Sequence, residues 1–418
     1  MGENMSEENL RIARRKAALY FFVVVIMFVL TYIAFYVQAQ KPGGSDTTVH
    51  MGNALSFDLV MSDSHCGWHF VCWLLYACLP ITIEEAAASA TALFNACTAA
   101  LLIWFGEKYM DRIGQEKIKL ERWKAAVIPL VTLVSMLVGP LYLRFYNRRY
   151  YLGQGSPNPW HNPTSTAVRS FMIPITVLTV GYWCCGEEET VTVRGKTLKK
   201  TTAYQLVLGV LLLISTVIKP SYLMVYLPVC GVRALACLFR SRGRGFWKLV
   251  AQHLYFIPSL CIFLYQYLIL YFLPAEAGAE EAGVVIAFFR AVRMHAPSVT
   301  VSLLLRMAFP FLVIFLWRKE IFKEWCFPLV FGQYIAGLLI SWTFAETGRR
   351  ASHGNFGWGN ILACFLLWAF CLFFLAKRFL EDKEQLQNSR RLKVRYGVLF
   401  FLLAWHLAGG ICFYLIQV

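Results

Sequence analysis

Apolar blocks of about 18–24 residues recur along this chain, each closed off by charges, and a bilayer core ~30 Å thick takes about 20 residues of helix to cross. The blocks fall at 17–39, 83–105, 125–144, 167–185, 202–218, 220–238, 249–272, 299–317, 326–344, 358–376 and 396–416. They predict an all-α polytopic membrane protein of about eleven transmembrane helices, a single integral membrane domain over residues 1–418. Composition points the same way. The chain is 58% hydrophobic and 15% charged, whereas soluble domains run at about 45–50% and about 25%. With 16% aromatic residues it is too apolar for a solvated, disordered chain. The first expected partner is therefore the lipid bilayer itself.

The formal net charge of +16 invites a nucleic-acid reading, but the placement of the charge argues against that partner. Of the 40 Lys and Arg, 29 fall at the start of the chain and in the segments 106–124, 186–201, 233–248, 318–323 and 377–395. Alternate connections are thus basic, as the positive-inside rule requires. Arg11, Arg14, Arg15 and Lys16 precede the first block. Val37-Gln38-Ala39 resembles a cleavage site, yet the apolar stretch exceeds the about 7–15 residues of a signal peptide. The expectation is an uncleaved anchor in the plasma membrane with a cytoplasmic N-terminus.

That orientation puts 40–67, 145–166, 273–298 and 345–357 on the outer face, and these segments hold the unusual polar residues. Residues 68–80 are apolar but too short to span, which predicts an interfacial helix. The thirteen cysteines contain no CxxC pair and sit mostly inside apolar blocks, so no disulfide framework or metal site is indicated.

In the first outer segment Asp46 and His50 are four residues apart and share a face if the stretch is helical. A carboxylate there can serve as general base towards a hydroxyl; the ordinary alternative is Asp46 as a helix N-cap. The second, Tyr151 to Thr164, holds three prolines and two glycines, together with Gln154, Asn158, Trp160, His161 and Asn162. It is not helical and is longer than a connection in a bundle needs. Arg144, Arg148 and Arg149 flank it on the side where the charge rule disfavours them, which suggests a bound anion such as phosphate. Lys219, between two blocks, reads either as a phosphate ligand or as a snorkelling cation. Arg306, inside the block 299–317, poses the same question. The stretch from Glu346 to Gly359, which runs from the last segment into the next block, carries Glu346, Arg349, Arg350, His353, Asn355 and Trp358 among four glycines, a sugar-binding composition or a tight turn. No Walker loop, dinucleotide fingerprint or HExxH is present.

Several strings resemble parts of GT-C type membrane glycosyltransferases: the anchor and first loop, Gly67-Trp68-His69, Glu84-Glu85-Ala86-Ala87 with Asn95, GQGSPNPWHNPT (153–164), KPSY (219–222) and HGNFGWG (353–359). The last three look like motifs of little-characterised bacterial multi-pass proteins of that class. The resemblance implies a GT-C-like fold in cell-envelope polysaccharide biosynthesis. It implies transfer of a sugar from a polyprenyl-phosphate-linked donor to a glycan or lipid acceptor on the outer face, with inversion. Asp46, with His50, then becomes the catalytic carboxylate. Lys219, Arg144, Arg148, Arg149, Arg349 and Arg350 become donor-phosphate ligands. His69, Gln154, Asn158, Trp160, His161, Asn162, Glu346, His353 and Asn355 become substrate-binding residues. No cofactor is indicated; a second acid such as Asp58 or Asp63 leaves a divalent metal open. A transporter or flippase for a lipid-linked sugar, a membrane glycan polymerase or ligase, and a structural subunit remain alternative readings.

Overall fold

The computed structural model describes residues 7–41, 45–112, 117–143, 146, 155–186, 188–193, 195–272, 282–351 and 354–418. The chain opens with α1 (Glu7–Gln40), which at ~1.5 Å per residue is long enough to cross a bilayer and project beyond it. Two short helices, α2 (Asp46–Gly52) and α3 (Phe57–Ser62), lead to α4 (Cys66–Cys78). Then come α5 (Ile83–Met110), α6 (Lys117–Leu137) and α7 (Pro163–Cys184). The hairpin β1 (Thr190–Val193) and β2 (Lys196–Lys199) precedes α8 (Lys200–Ile218) and α9 (Ser221–Arg240). The short α10 (Phe246–Gln252) runs through a 3-10 turn into α11 (Ile257–Phe272). The last third contains β3 (Gly283–Ile286), α12 (Arg290–Arg293), α13 (Val299–Leu316), α14 (Arg318–Ile321), α15 (Phe327–Thr343), β4 (Phe344–Thr347), α16 (Gly357–Glu381), α17 (Lys383–Asn388) and α18 (Arg390–Gln417).

Every predicted block forms a helix over most of its length, although the block 125–144 leaves its helix after Leu137 and is non-helical over 138–143, and the protein is an all-α polytopic membrane protein. Among the described residues nine helices are long and apolar enough to cross a membrane. The other two of the expected eleven fall short for visible reasons. The first turns of α6 carry Lys117, Lys119, Glu121, Arg122 and Lys124, and α15 has only 17 residues. The predicted interfacial helix is α4, at 13 residues well below a bilayer's thickness.

Local sequence explains the helix starts. Thr82 and Glu85 form a reciprocal capping box on α5, so the acidic Glu84-Glu85 pair opens a helix. In α7, Asn162 is the N-cap, accepting from the Ser165 N–H at 2.8 Å, and Pro163 occupies the first helical position.

The most buried element is α16, enclosed on all faces and packed against α6, α9 and α15. Large apolar side chains such as Phe21, Leu206, Phe315 and Phe401 point outward from peripheral helices, as lipid-facing residues do. Polar clamps cross the interior: Asn95 on α5 donates to Thr31 on α1 at 2.7 Å, and Arg169 on α7 donates to Asn95 at 2.8 Å. A buried guanidinium held by amide oxygens fixes three helices against one another where hydrophobic contrast cannot.

At one end of the bundle, Lys16, Lys124, Glu107, Asp111 and Glu121 form an ion-pair cluster, with Lys16 to Glu107 at 2.8 Å and Lys124 to Glu121 at 2.7 Å. The segments predicted to share the outer face come together at the other end. There β3 and β4 pair antiparallel, Val284 opposite Glu346. That ladder, which periodicity did not predict, ties the third of these segments to the fourth.

Candidate functional site

The site begins where the first two segments meet. The Asp46 N–H donates to the His161 carbonyl at 3.1 Å. Gln38, at the end of α1, donates to the Trp160 carbonyl at 2.7 Å and accepts from Thr47 at 3.0 Å. The N-cap of α2 is Ser45, whose hydroxyl accepts from the Thr47 N–H at 3.1 Å. Asp46 therefore does no capping, and its carboxylate turns outward to accept from Asn162 Nδ2 at 2.6 Å.

Asn162 joins that carboxylate to a cation. Its Oδ1 accepts from Lys219 Nζ at 3.2 Å, and Lys219 also donates to Ser165 Oγ at 2.9 Å and Thr164 Oγ1 at 3.3 Å. The ammonium lies 4.1 Å from the centre of the Trp358 ring, a cation–π contact. Gly359 permits this approach: a Cβ there would stand 2.8 Å from the Ser221 carbonyl oxygen, so only glycine lets the start of α16 lie on the start of α9. Lys219 is 7% exposed. Burial lowers its pKa to about 7, with the Asp46 charge opposing the shift. Burial likewise lowers His161 to about 4, again against Asp46. The His161 ring lies between Trp358 and Phe413.

The last segment is organised by Glu346. This carboxylate is buried and accepts from Tyr271 at 2.8 Å, Arg350 Nε at 2.9 Å, the Asn355 N–H at 3.2 Å and Asn355 Nδ2 at 2.9 and 3.0 Å. It orients Arg350 and Asn355 towards the site and is itself shut away. Near these cations, His50 Nδ1 hydrogen-bonds His69 Nε2 at 2.9 Å, and Asp63 accepts from the His65 N–H at 2.7 Å and from Asn53. Burial lowers His50 and His65. Burial pushes Asp63 upward, but its hydrogen bond to His65 and the neighbouring His69 outweigh it and hold the carboxyl well below its ordinary value.

These groups face one polar cavity of about 730 Å³, bordered by Asp46, His50, Asp63, His65, His161, Asn162, Lys219, Arg350 and Asn355, and on its remaining walls by Ser302, Arg306, Ser341, Trp358 and Asn360. Against it lies an apolar cleft of about 370 Å³ between α9 and α11, lined by Leu223, Met224, Leu227, Phe263, Tyr267 and Tyr271. Lys219, Arg350, His65 and Asn355 border both spaces. The two voids adjoin, the first lined by polar and apolar side chains and the second almost wholly apolar, and two cationic side chains stand where they meet.

The structure brings Asp46, His50, His161, Asn162, Lys219, Arg350 and Asn355 together as cavity wall. His69, Asn158, Trp160 and Glu346 stand behind it. His69 backs His50; Asn158 holds the Ser135 and Val138 carbonyls at 3.0 and 2.8 Å; Trp160 packs on Tyr414. Arg144, Arg148, Arg149, Gln154 and His353, and the side chain of Arg349, lie outside the described residues. The sequence reading passed over His65, although Asp63-Ser64-His65 directly before an apolar helix was a signal for it. It also passed over Asn360 and Ser341, which look like ordinary polar residues within spans.

Among the described residues, the acids close enough to share a metal ion are Glu107, Asp111 and Glu121, at the far end of the bundle. Lys124 already pairs with all three, which is the arrangement of a structural ion cluster. No protein-family model matches the chain, and no curated protein matches its sequence. Fold and site together define a multi-pass membrane protein whose polar cavity adjoins an apolar cleft.

Proposed function

We propose that the protein is a GT-C type membrane glycosyltransferase. It moves a sugar from a polyprenyl-phosphate-linked donor to a glycan or lipid acceptor, with inversion, at the outer face of the plasma membrane, its N-terminus in the cytoplasm. The observation that carries the reading is the junction at Lys219 and Arg350, shared by the polar cavity and the apolar cleft. A lipid phosphate matches that junction: isoprenoid tail in the cleft, phosphate against the two cations, sugar in the cavity.

The chemistry then follows from the residues at hand. An acceptor hydroxyl attacks the anomeric carbon and its proton passes to Asp46. The bond from that carbon to the phosphate oxygen breaks, and its electron pair leaves with the lipid phosphate. Lys219 and Arg350 oppose the charge that grows on the phosphate, and fixed charges in a preorganised site stabilise a transition state more than a ground state. Asn162 holds the base and the cation to a common frame through its two amide ends.

Lys219→Ala and Arg350→Ala should each lower donor-dependent transfer by about 10²–10³-fold, measured on purified protein in lipid with a polyprenyl-phosphate sugar. Parental rates in both variants would mean the lipid phosphate is held elsewhere. Binding of the lipid-linked sugar with no transfer to any acceptor would favour the transporter reading.

A further inference from the structure

The reaction above uses one side of the cavity and leaves Arg306 on α13, Ser341 on α15 and Asn360 on α16 without a role. Arg306 lies mid-way along the apolar α13 and faces the cavity with 9% of its surface exposed. An ionisable side chain within a span that borders a polar cavity is a functional-site mark by its cost alone. Gly155, at a φ of +70°, brings the loop backbone onto the guanidinium; a Cβ there would stand 2.9 Å from Arg306 Nη1. The second observation is independent. Asn360, near the start of α16, is 4% exposed and lines the same cavity. Its Nδ2 reaches Ser341 Oγ at 3.4 Å, while its amide oxygen has no hydrogen-bond donor among the described residues. A buried acceptor in that condition calls for a donor, from water or from a ligand hydroxyl. Neither Arg306 nor Asn360 borders the apolar cleft, so what binds between them needs no lipid tail.

We infer that Arg306 and Asn360 form a second subsite, for an acidic, hydroxyl-rich acceptor: a sugar unit bearing a phosphate or carboxylate, its anion on the guanidinium and a hydroxyl donating to the Asn360 oxygen. This deepens the proposed transfer reaction and, as an acceptor site, rests on it. A planar guanidinium pairs with either anion in a bidentate manner, and an amide oxygen suits a sugar hydroxyl. The cavity then holds two anions on separate walls, the donor phosphate at Lys219 and Arg350 and the acceptor anion at Arg306.

The test titrates the full-length protein in nanodiscs with glucose 1-phosphate, glucuronate and glucose, without and with a saturating polyprenyl phosphate. One or both acidic sugars should bind alongside the polyprenyl phosphate at least tenfold more tightly than glucose, and the tighter of the two identifies the anion. Arg306→Gln should reduce acidic-sugar affinity to that for glucose. Asn360→Ala should weaken all three sugars several-fold, and both variants should keep parental affinity for polyprenyl phosphate. Equal binding of glucose and the acidic sugars, parental affinity in Arg306→Gln, or displacement of the acidic sugar by polyprenyl phosphate would each overturn the subsite. If Arg306→Gln does not fold, unchanged sugar affinity in Asn360→Ala overturns it as well. Failure of polyprenyl phosphate to bind the parent protein counts against the donor reading alone, and the comparison between sugars still decides the subsite.

Discussion

Lys219 is a buried ammonium whose hydrogen bonds all go to neutral oxygens of Asn162, Thr164 and Ser165. Burial brings its pKa down to about 7 with Asp46 pulling the other way, so its charge changes near neutral pH. The sign follows from its being a base: below about 7 it is charged and attracts phosphate, and above that value the attraction fades. His161, lowered to about 4, is neutral throughout that window. A donor phosphodiester keeps one negative charge across it, so donor affinity should fall as pH rises from 6 to about 8, and Lys219→Arg, with a pKa above ~12, should flatten the curve. Binding isotherms at several pH values check this; a parental protein with pH-independent affinity would place the phosphate away from Lys219. At this scale the sequence was informative about which residues matter and less so about how. Asp46 was legible as base or cap, and only the backbone angles of Ser45 decided that Ser45 caps. Glu346 and His69 are polar residues at the right end of the bundle, yet they serve by holding Arg350, Asn355 and His50. Composition cannot tell a residue that touches a ligand from one that aims its neighbour.

Among the elements, β4 and the turn after it depend on one carboxylate. Glu346 receives hydrogen bonds from α11 through Tyr271 and from its own loop through Arg350 and Asn355. Removing one partner of a buried pair costs ~3–5 kcal/mol, because the remaining charge is left uncompensated, whereas a single hydrogen bond to a charged group contributes ~1.5–3 kcal/mol. Glu346→Ala should thus lower thermal stability more than Tyr271→Phe does, and it alone should also weaken polyprenyl-phosphate binding, since it releases Arg350. Equal effects on binding would mean that Arg350 needs no such support. The helices behind this arrangement were legible because eighteen or more apolar residues have few alternatives to a span. The β3–β4 ladder was not. Its four-residue strands are too short to carry an alternation, and their pairing joins residues about sixty apart in sequence.

For the molecule as a whole, the distribution of Lys and Arg and the gathering of four segments at one end are independent observations that agree. The proposed orientation, which rests on the Lys and Arg distribution, puts the cavity on the outer side. Cysteines introduced at Val49 and Met294, exposed at the cavity end, should label from outside with a membrane-impermeant reagent in a background without accessible native thiols. One at Arg242, exposed in a basic connection, should label only after permeabilisation; the reverse pattern would invert the orientation. The central claim is that this cavity performs sugar transfer with Asp46 as its base, and one variant tests it most directly. Asp46→Asn keeps the size of the side chain and an oxygen for Asn162 Nδ2, and it leaves the Ser45 cap untouched, so stability in detergent should stay parental. It cannot take a proton from the acceptor, and loss of a general base typically costs ~10²–10⁴-fold in rate. Donor-dependent transfer by the purified variant in lipid should fall by that factor; turnover close to the parent's would contradict the account.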